Sequence, residues 1–464
     1  MIRLFRHYFS TAWVALGVFE SLLFFGSVYA AAALPRFWQH SEIGLTGQPL
    51  ALTALVFAAA LMVSVTATGL YQRSLRDSVV GMAARMAVGF VLGFTLLSLG
   101  FMAVPVPLAE STVRIAMLLS IIGIAVTRGI FQQISDRCWL KPQVLVLGTG
   151  RQAAQIQRLK RKVDWSGVCL VGYVPLPGQD SVVNSRKVMS ITTSLPDLAE
   201  QHAVDQLVIA ADDCELDSLI GEILECKLRG IEVIDLLRFM ESQTHKIQLE
   251  ALGPLGITYL DGFSHAVLRR KKKRVFDILV SIMMLLVMLP VIVGTALAVL
   301  VESRGRGPIL YFQNRVGRDG RIVRLMKFRS MRTDAEKDGK AVWASTKDDR
   351  VTRVGKFIRR TRIDELPQLL NVLKGDMSFV GPRPERPEFV EHLSKTIPYY
   401  AMRHRINPGI TGWAQINYPY GCSDNDAKEK LQYDLYYMKN YSLLLDIIIM
   451  LETAQVVLWA KGSR

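Results

Sequence analysis

The stretch 269-RRKKKRVFDILVSIMMLLVMLPVIVGTALAVLV-301 opens with six consecutive cations and continues as a long apolar segment with Pro290 near its centre. A basic run set directly against an apolar helix is a membrane-surface signal before it is a nucleic-acid one. Residues Val275 to Val301 are long enough to span a bilayer. A span, however, would carry the dense positive charge of Arg304 to Arg332, and everything after it, across the membrane. Pro290 offers the other solution, because it removes a helical hydrogen bond and kinks the segment. The segment is therefore expected to enter the cytoplasmic leaflet and return, leaving the rest of the chain on one face.

Working outward, the chain has 464 residues, half of them hydrophobic, and a formal charge of +15. Such a length suits about three domains and such a composition a membrane component. The charge suits a phosphorylated partner or an anionic lipid surface. Upstream, Trp13 to Ala33, Pro49 to Leu70, Val79 to Val104 and Thr112 to Phe131 read as four transmembrane helices. Arg3 and Arg6, Arg73 and Arg76, and Arg137 and Lys141 flank them on one side, while the alternate loops carry little beyond Arg36, so both ends of the bundle are expected in the cytoplasm. The first segment is too long for a signal peptide and shows no cleavage pattern. Arg85 and Arg114, near segment ends, are read as snorkelling. The five cysteines, Cys138, Cys169, Cys214, Cys226 and Cys422, form no CxxC pair and no Cys/His metal spacing, which points to unpaired thiols in a reducing compartment.

From Lys141 to Gly262 short aliphatic runs (VLVLG, VCLVGYV, DQLVIAA, IEVIDL) alternate with helical stretches, the pattern of an open parallel α/β sheet and a Rossmann-like unit. Gly148, Gly150 and Ala153 after the first run have GxGxxA spacing. A dinucleotide site also needs an acid at the end of the second strand. Here that strand ends in Tyr173, Val174 and Pro175, so a structural or regulatory role is expected.

Chemistry concentrates in 361-TRIDELPQLLNVL-373, where adjacent acids precede a proline and an apolar run. Pro367 fits a first helical turn, so a helix is expected to start near Asp364, with Asp364 and Glu365 at its positive end. On the pair alone the plainer reading is preferred, with Asp364 only an N-cap and Glu365 a first-turn acid. Around it lie NRVGRDG, LMKFRSM, the run from Asp348 through FVGPRPE, INPGITGWAQIN and YDLYYMKNYSLLLD. This ordered set, from Arg269 to the C-terminus, closely resembles the catalytic domain of bacterial polyprenyl-phosphate sugar-1-phosphate transferases, the monotopic phosphoglycosyl transferases. The four helices and the Rossmann-like (CoA-binding-like) domain upstream resemble the large members that initiate exopolysaccharide or capsule repeat units.

That resemblance implies a membrane α-helical bundle (1–135), a Rossmann-like α/β domain (141–262) and a mostly helical α/β monotopic catalytic domain (269–464) with a re-entrant helix over 275–301. It implies transfer of a sugar phosphate from a UDP-sugar to polyprenyl phosphate, usually undecaprenyl phosphate, with release of UMP, at the cytoplasmic face of the bacterial inner membrane. Asp364 would be the nucleophile and Glu365 the Mg²⁺ ligand, while Lys327, Arg329, Arg359 and Arg383 would bind phosphate or nucleotide. The expected partners are the UDP-sugar, polyprenyl phosphate, anionic lipids and a second copy of the chain, with no nucleic acid. Two departures stand out: Leu289 replaces the Ser that many relatives carry before the helix-breaking Pro, and Asn417 is followed by Tyr418, Pro419 and Tyr420 instead of Gly-Arg. Trp413 and Pro408 read as shaping a nucleotide pocket or the membrane edge, or equally as core. The final apolar segment, Leu443 to Ala460, holds Asp446, Glu452 and Gln455, which favours a helix resting on the membrane. The other function classes considered are a NAD-linked sugar-nucleotide oxidoreductase or epimerase, which lacks the strand-two acid and a following Tyr-x-x-x-Lys pair, and an inert membrane scaffold.

Overall fold

The computed structural model describes residues 2–4, 7–39, 50–71, 79–103, 110–135, 141–159, 165, 167–190, 194–212, 217–252, 267–332, 350–419, 421 and 423–459. Arg6, Arg73, Arg76, Arg137, Cys138, Cys214, Cys422 and Tyr420, used above, lie outside the described residues. The chain forms two compact units, Tyr8–Gly253 with Met1–Leu4, and Pro254–Arg464 with Phe5–His7.

The first unit begins with four helices, α1 (Thr11–Gln39), α2 (Leu50–Ala67), α3 (Val79–Ala103) and α4 (Glu110–Ser135). All four are long and apolar enough to cross a membrane, and so is a fifth helix in the second unit. Phe24, Phe57, Leu61, Phe90 and Ile124 fill the bundle core, while Leu22, Leu55, Val91 and Ile122 face outward. Glycines make room for neighbouring side chains: a Cβ at Gly123 would come within 2.6 Å of the Leu23 side chain, and one at Gly93 within 2.6 Å of that of Leu61. Arg85 does not snorkel. It is buried and donates to the Thr68 carbonyl (3.0 Å) at the end of α2, satisfying an acceptor that the helix leaves open. A buried ion pair, Glu20 with Arg128 at 2.8 Å, also lies within the bundle. In an apolar phase such a charge persists only when paired.

The α/β part of this unit has four parallel strands, β1 (Gln143–Leu147), β2 (Cys169–Val174), β3 (Gln206–Ile209) and β4 (Glu232–Asp235), in the order β2-β1-β3-β4. Helices α5 (Arg151–Gln157), α6 (Leu195–Gln201), α7 (Ile220–Leu228) and α8 (Leu236–Thr244) follow the strands. Successive residues of β1 feed two separate cores: Val144 and Val146 pack with Ile156 and Phe239, Leu145 and Leu147 with Leu198 and Cys226. Burial on both faces explains why the strand reads as an unbroken aliphatic run.

The second unit is built on α9 (Val267–Glu302), which is helical throughout, with Pro290 inside. It is followed by a hairpin of β5 (Leu310–Val316) and β6 (Ile322–Phe328), turned at Asp319 (φ 52°) and Gly320 (φ 78°). Next come α10 (Arg353–Arg360), a 3₁₀ turn at Ile363–Glu365, α11 (Gln368–Lys374), and β7 (Ser378–Val380) paired in parallel with β8 (Gly409–Thr411). Between those strands lies α12 (Pro387–Thr396), and α13 (Trp413–Asn417), α14 (Asp424–Lys439) and α15 (Leu443–Leu458) complete the unit. Trp413 is core, buried and stacked on Tyr436.

This unit holds α9 on both sides of Pro290. On the N-terminal side Arg274 caps the end of α11 by donating to the Val372 and Leu373 carbonyls, the latter at 2.6 Å. Asp277 accepts from the Ser378 hydroxyl (2.8 Å) and the Phe379 amide (3.1 Å), and Lys273 pairs with Asp446 of α15 (2.8 Å). On the C-terminal side Val299 packs with Phe328 and Ile358, and Glu302 accepts from the Val354 amide at 3.0 Å. Between these anchorages Leu279, Met283, Leu286, Val287 and Leu289 are exposed.

Candidate active site

The expected helix start is displaced. Asp364 and Glu365 sit in the 3₁₀ turn, Pro367 occupies the entry position of α11, and regular helix begins only at Gln368. Asp364 therefore caps no α-helix, and its Oδ1, though buried, has no hydrogen-bond partner. Arg362 enters the turn in the left-handed region, φ 60°, a conformation that non-glycine residues adopt at some cost.

The turn aims Glu365 at three cations. Its Oε1 accepts from Arg383 Nη2 (2.8 Å) and Lys327 Nζ (3.4 Å), and Arg362 Nη1 lies at 3.7 Å. Burial pushes the Asp364 carboxyl up to about 6, aided by the negative Glu365 and opposed by Lys327, Arg362 and Arg383. Burial also works against an ionised Glu365, but Arg383, Lys327 and Arg362 together outweigh it and hold that carboxyl well below the usual range. One acid is thus locked as an anion. The other is within reach of protonation and keeps an oxygen free.

Each cation arrives on its own support. Lys327 comes from β6, which the Asn371 side chain ties to α11: its Oδ1 accepts from the Met326 amide (3.0 Å) and its Nδ2 donates to the Arg324 carbonyl (2.9 Å). Arg383 leaves the C-terminal end of β7 in a loop held by Arg403, which donates to the Arg383 carbonyl (3.0 Å) and pairs with buried Asp434 of α14 (2.8 Å). The backbones of β7 and β8 approach so closely here that a Cβ on Gly381 would lie 2.5 Å from the Asn407 carbonyl oxygen.

The structure thus brings Asp364, Glu365, Lys327 and Arg383 together. It does not bring Arg329 or Arg359 into contact with the acids: Arg329 donates to the Arg306 carbonyl (3.3 Å), and Arg359, on α10, makes no ion pair among the described residues. Arg362, Asn371 and Arg403 were missed by the motif reading. Only Arg362, three residues from Glu365, was within reach of local spacing.

No cluster of three metal-binding side chains occurs among the described residues. Mg²⁺ does not need one, because it takes one or two carboxylates and completes its shell with phosphate oxygens and water. The orphaned oxygen of Asp364 beside Glu365 fits that demand. In the α/β region the dinucleotide reading meets an obstacle: the Asp212 carboxylate accepts from the Arg151 (2.7 Å) and Gln152 (2.9 Å) amides, and Gln179 accepts from the Thr149 amide (2.9 Å). The backbone donors that would cradle a pyrophosphate are taken by the chain itself.

Comparison with known proteins shows which family the sequence resembles. Residues 268–460 match the family described as bacterial sugar transferase. The UDP-N-acetylgalactosamine-undecaprenyl-phosphate N-acetylgalactosaminephosphotransferase of Aeromonas hydrophila is 41% identical over 54% of this chain, and the chain spans 59% of that relative's length. The UDP-glucose:undecaprenyl-phosphate glucose-1-phosphate transferase of Klebsiella pneumoniae is 32% identical over 71% of this chain and 72% of its own length. The undecaprenyl-phosphate galactose phosphotransferase of Salmonella typhimurium is 31% identical over 70% of this chain and 69% of its own. With relatives above 30% identity matched over more than two thirds of both chains, the chain belongs to the bacterial sugar transferase family.

Proposed function

We propose that this protein transfers a sugar 1-phosphate from a UDP-sugar to polyprenyl phosphate, with release of UMP, as the first membrane step of exopolysaccharide or capsule assembly. The observation that carries the reading is the asymmetry of the acid pair, an Asp364 oxygen buried and unpartnered next to a Glu365 whose Oε1 faces three cations. Ionised Asp364 attacks the phosphorus that bears the sugar, and the bond from that phosphorus to the UMP oxygen breaks, its electron pair leaving with UMP. An oxygen of polyprenyl phosphate then attacks the same phosphorus and releases the carboxylate. Arg383, Lys327 and Arg362 offset the negative charge gathered around the diphosphate, three cations against two carboxylates. Arg359 and Arg329 supply further phosphate or nucleotide contacts. Mg²⁺ held by Glu365 and the substrate phosphates would screen the carboxylates from the diphosphate and stabilise the departing charge. Release of UMP from UDP-glucose, UDP-galactose and UDP-N-acetylgalactosamine, each with polyprenyl phosphate and Mg²⁺, tests the reading; no UMP from any would contradict it.

For topology we propose that residues 275–301 are re-entrant, with the catalytic domain 269–464 on the cytoplasmic face of the membrane. Support comes from the anchorages on both sides of Pro290. Asp277 and Val299 are 22 positions apart, which is about 33 Å of straight helix and comparable to a hydrocarbon core. A single polar unit gripping both cannot lie on both faces of a bilayer. Cysteines placed at Arg270 and Arg306 should be labelled from the cytoplasmic side alone, and outside labelling at 306 would mean a span. We read residues 141–262 as a Rossmann-like domain of structural or regulatory role, the plug formed by Asp212 speaking against a bound dinucleotide.

A further inference from the structure

Beside the N-terminal end of α9 lies a cavity of about 330 Å³ that contains none of Asp364, Glu365 or Lys327. Seven of its lining side chains are cations and one, Asp277, is an acid. Several are already committed: Lys273 to Asp446, Arg274 to the α11 carbonyls, Arg318 to Asp319, and Asp277 to the start of β7. Arg269, Arg270 and Lys271 make no hydrogen bond or ion pair among the described residues. Tyr441 also lines the cavity, and its hydroxyl is buried and without a hydrogen-bond partner. Burial, with Asp446 and Asp277 nearby, keeps that phenol protonated and hence a donor.

The position of the cavity selects the anion. Exposed Leu268, Val275 and Leu279 lie on the same helical turns, so the cavity sits where α9 passes from headgroup to hydrocarbon. The acid pair precedes the opposite end of α11, a helix of seven residues, about 10 Å long, so the two places are separate.

We infer that this cavity holds the phosphate of an anionic membrane phospholipid, bound by Arg269, Arg270 and Lys271 and by a hydrogen bond from Tyr441. It is a defined site rather than diffuse attraction of a basic run to a charged surface, and it does not depend on the reaction assigned to Asp364. An unpaired buried hydroxyl costs the fold stability, and a charged acceptor recovers it.

The test is native mass spectrometry of the full chain in detergent, titrated with dioleoylphosphatidylglycerol, with phosphatidylcholine and inorganic phosphate as the other arms. Saturable retention of one phosphatidylglycerol is expected, weakened about tenfold by Tyr441→Phe, which changes no charge. Arg270→Gln, at an exposed position, should also weaken it, and Asp364→Asn should not. Thermal melting of Tyr441→Phe should equal or exceed that of the parent, since the hydroxyl has no partner in the fold. Equal retention by Tyr441→Phe would reduce the effect to diffuse charge and overturn the site. Displacement of the lipid by equimolar inorganic phosphate, or its loss in Asp364→Asn, would overturn it as well, the first as a soluble-anion site and the second as part of the active site.

Discussion

Two carboxylates near helix starts, Asp212 in the α/β region and Asp364 in the catalytic region, meet opposite fates. Asp212 spends both oxygens on backbone amides at the start of α5 and closes a phosphate-type loop. Asp364 caps nothing, and keeps one buried oxygen unpaired while three cations crowd its neighbour. A satisfied carboxylate stabilises its fold, whereas one left unsatisfied costs about 1–3 kcal/mol or more and has chemistry to offer. The contrast teaches that the fate of an acid placed by a helix entry is decided by whether the backbone donors can reach it.

The largest effect should separate the two acids. Asp364→Asn is expected to lower steady-state UMP release by about 10⁴-fold or more, with the unfolding midpoint unchanged or raised, because a buried charge is removed while the shape is kept. If it destabilised the protein instead, Asp364 would be another structural acid. Glu365→Gln comes next, with a rate loss of about 10²-fold and a Mg²⁺ midpoint raised about tenfold. An unchanged Mg²⁺ titration would remove Glu365 from the metal site. In the parent, the rate should climb as pH rises through about 6, since a protonated Asp364 is no nucleophile. Glu365→Gln should move that midpoint to lower pH, because the neighbouring anion that resists ionisation is gone.

Smaller effects test the supports. Asn371→Leu leaves the Met326 amide and the Arg324 carbonyl unpaired and should cost about 2 kcal/mol in thermal or denaturant unfolding, as well as loosening Lys327. Asp212→Ala should cost about 1 kcal/mol, as for loss of a helix cap, with UMP release unaffected. A matching loss of turnover would break the comparison, by linking the α/β region to the chemistry.

The sequence was most legible where the physics is local. Apolar length marked α1 to α4 and α9, period and turn residues marked the parallel strands, and Pro367 marked the entry to α11. The acid pair and its basic neighbours were legible as ordered motifs. What escaped was set by partners far along the chain: Arg403 reaching both Asp434 and the Arg383 carbonyl, Asp212 folding back 61 positions onto Arg151, and Glu20 meeting Arg128. Arg85 was read as snorkelling because its position near a segment end says nothing about the Thr68 carbonyl across the bundle. The shift of helix start from Asp364 to Gln368 depends on Arg362 taking a left-handed backbone, which its side chain does not advertise.

The central claim is that Asp364 forms a bond to phosphorus, and one measurement addresses it directly. Full-length protein is mixed with UDP-sugar and Mg²⁺ in the absence of lipid acceptor, and UMP and the protein's mass are followed together. The account predicts a burst of about one UMP per active site, a mass increase equal to the sugar phosphate, placement of that adduct on Asp364 by peptide mapping, and its discharge on adding polyprenyl phosphate. An adduct on any other residue, or one that still forms in Asp364→Asn, would contradict it.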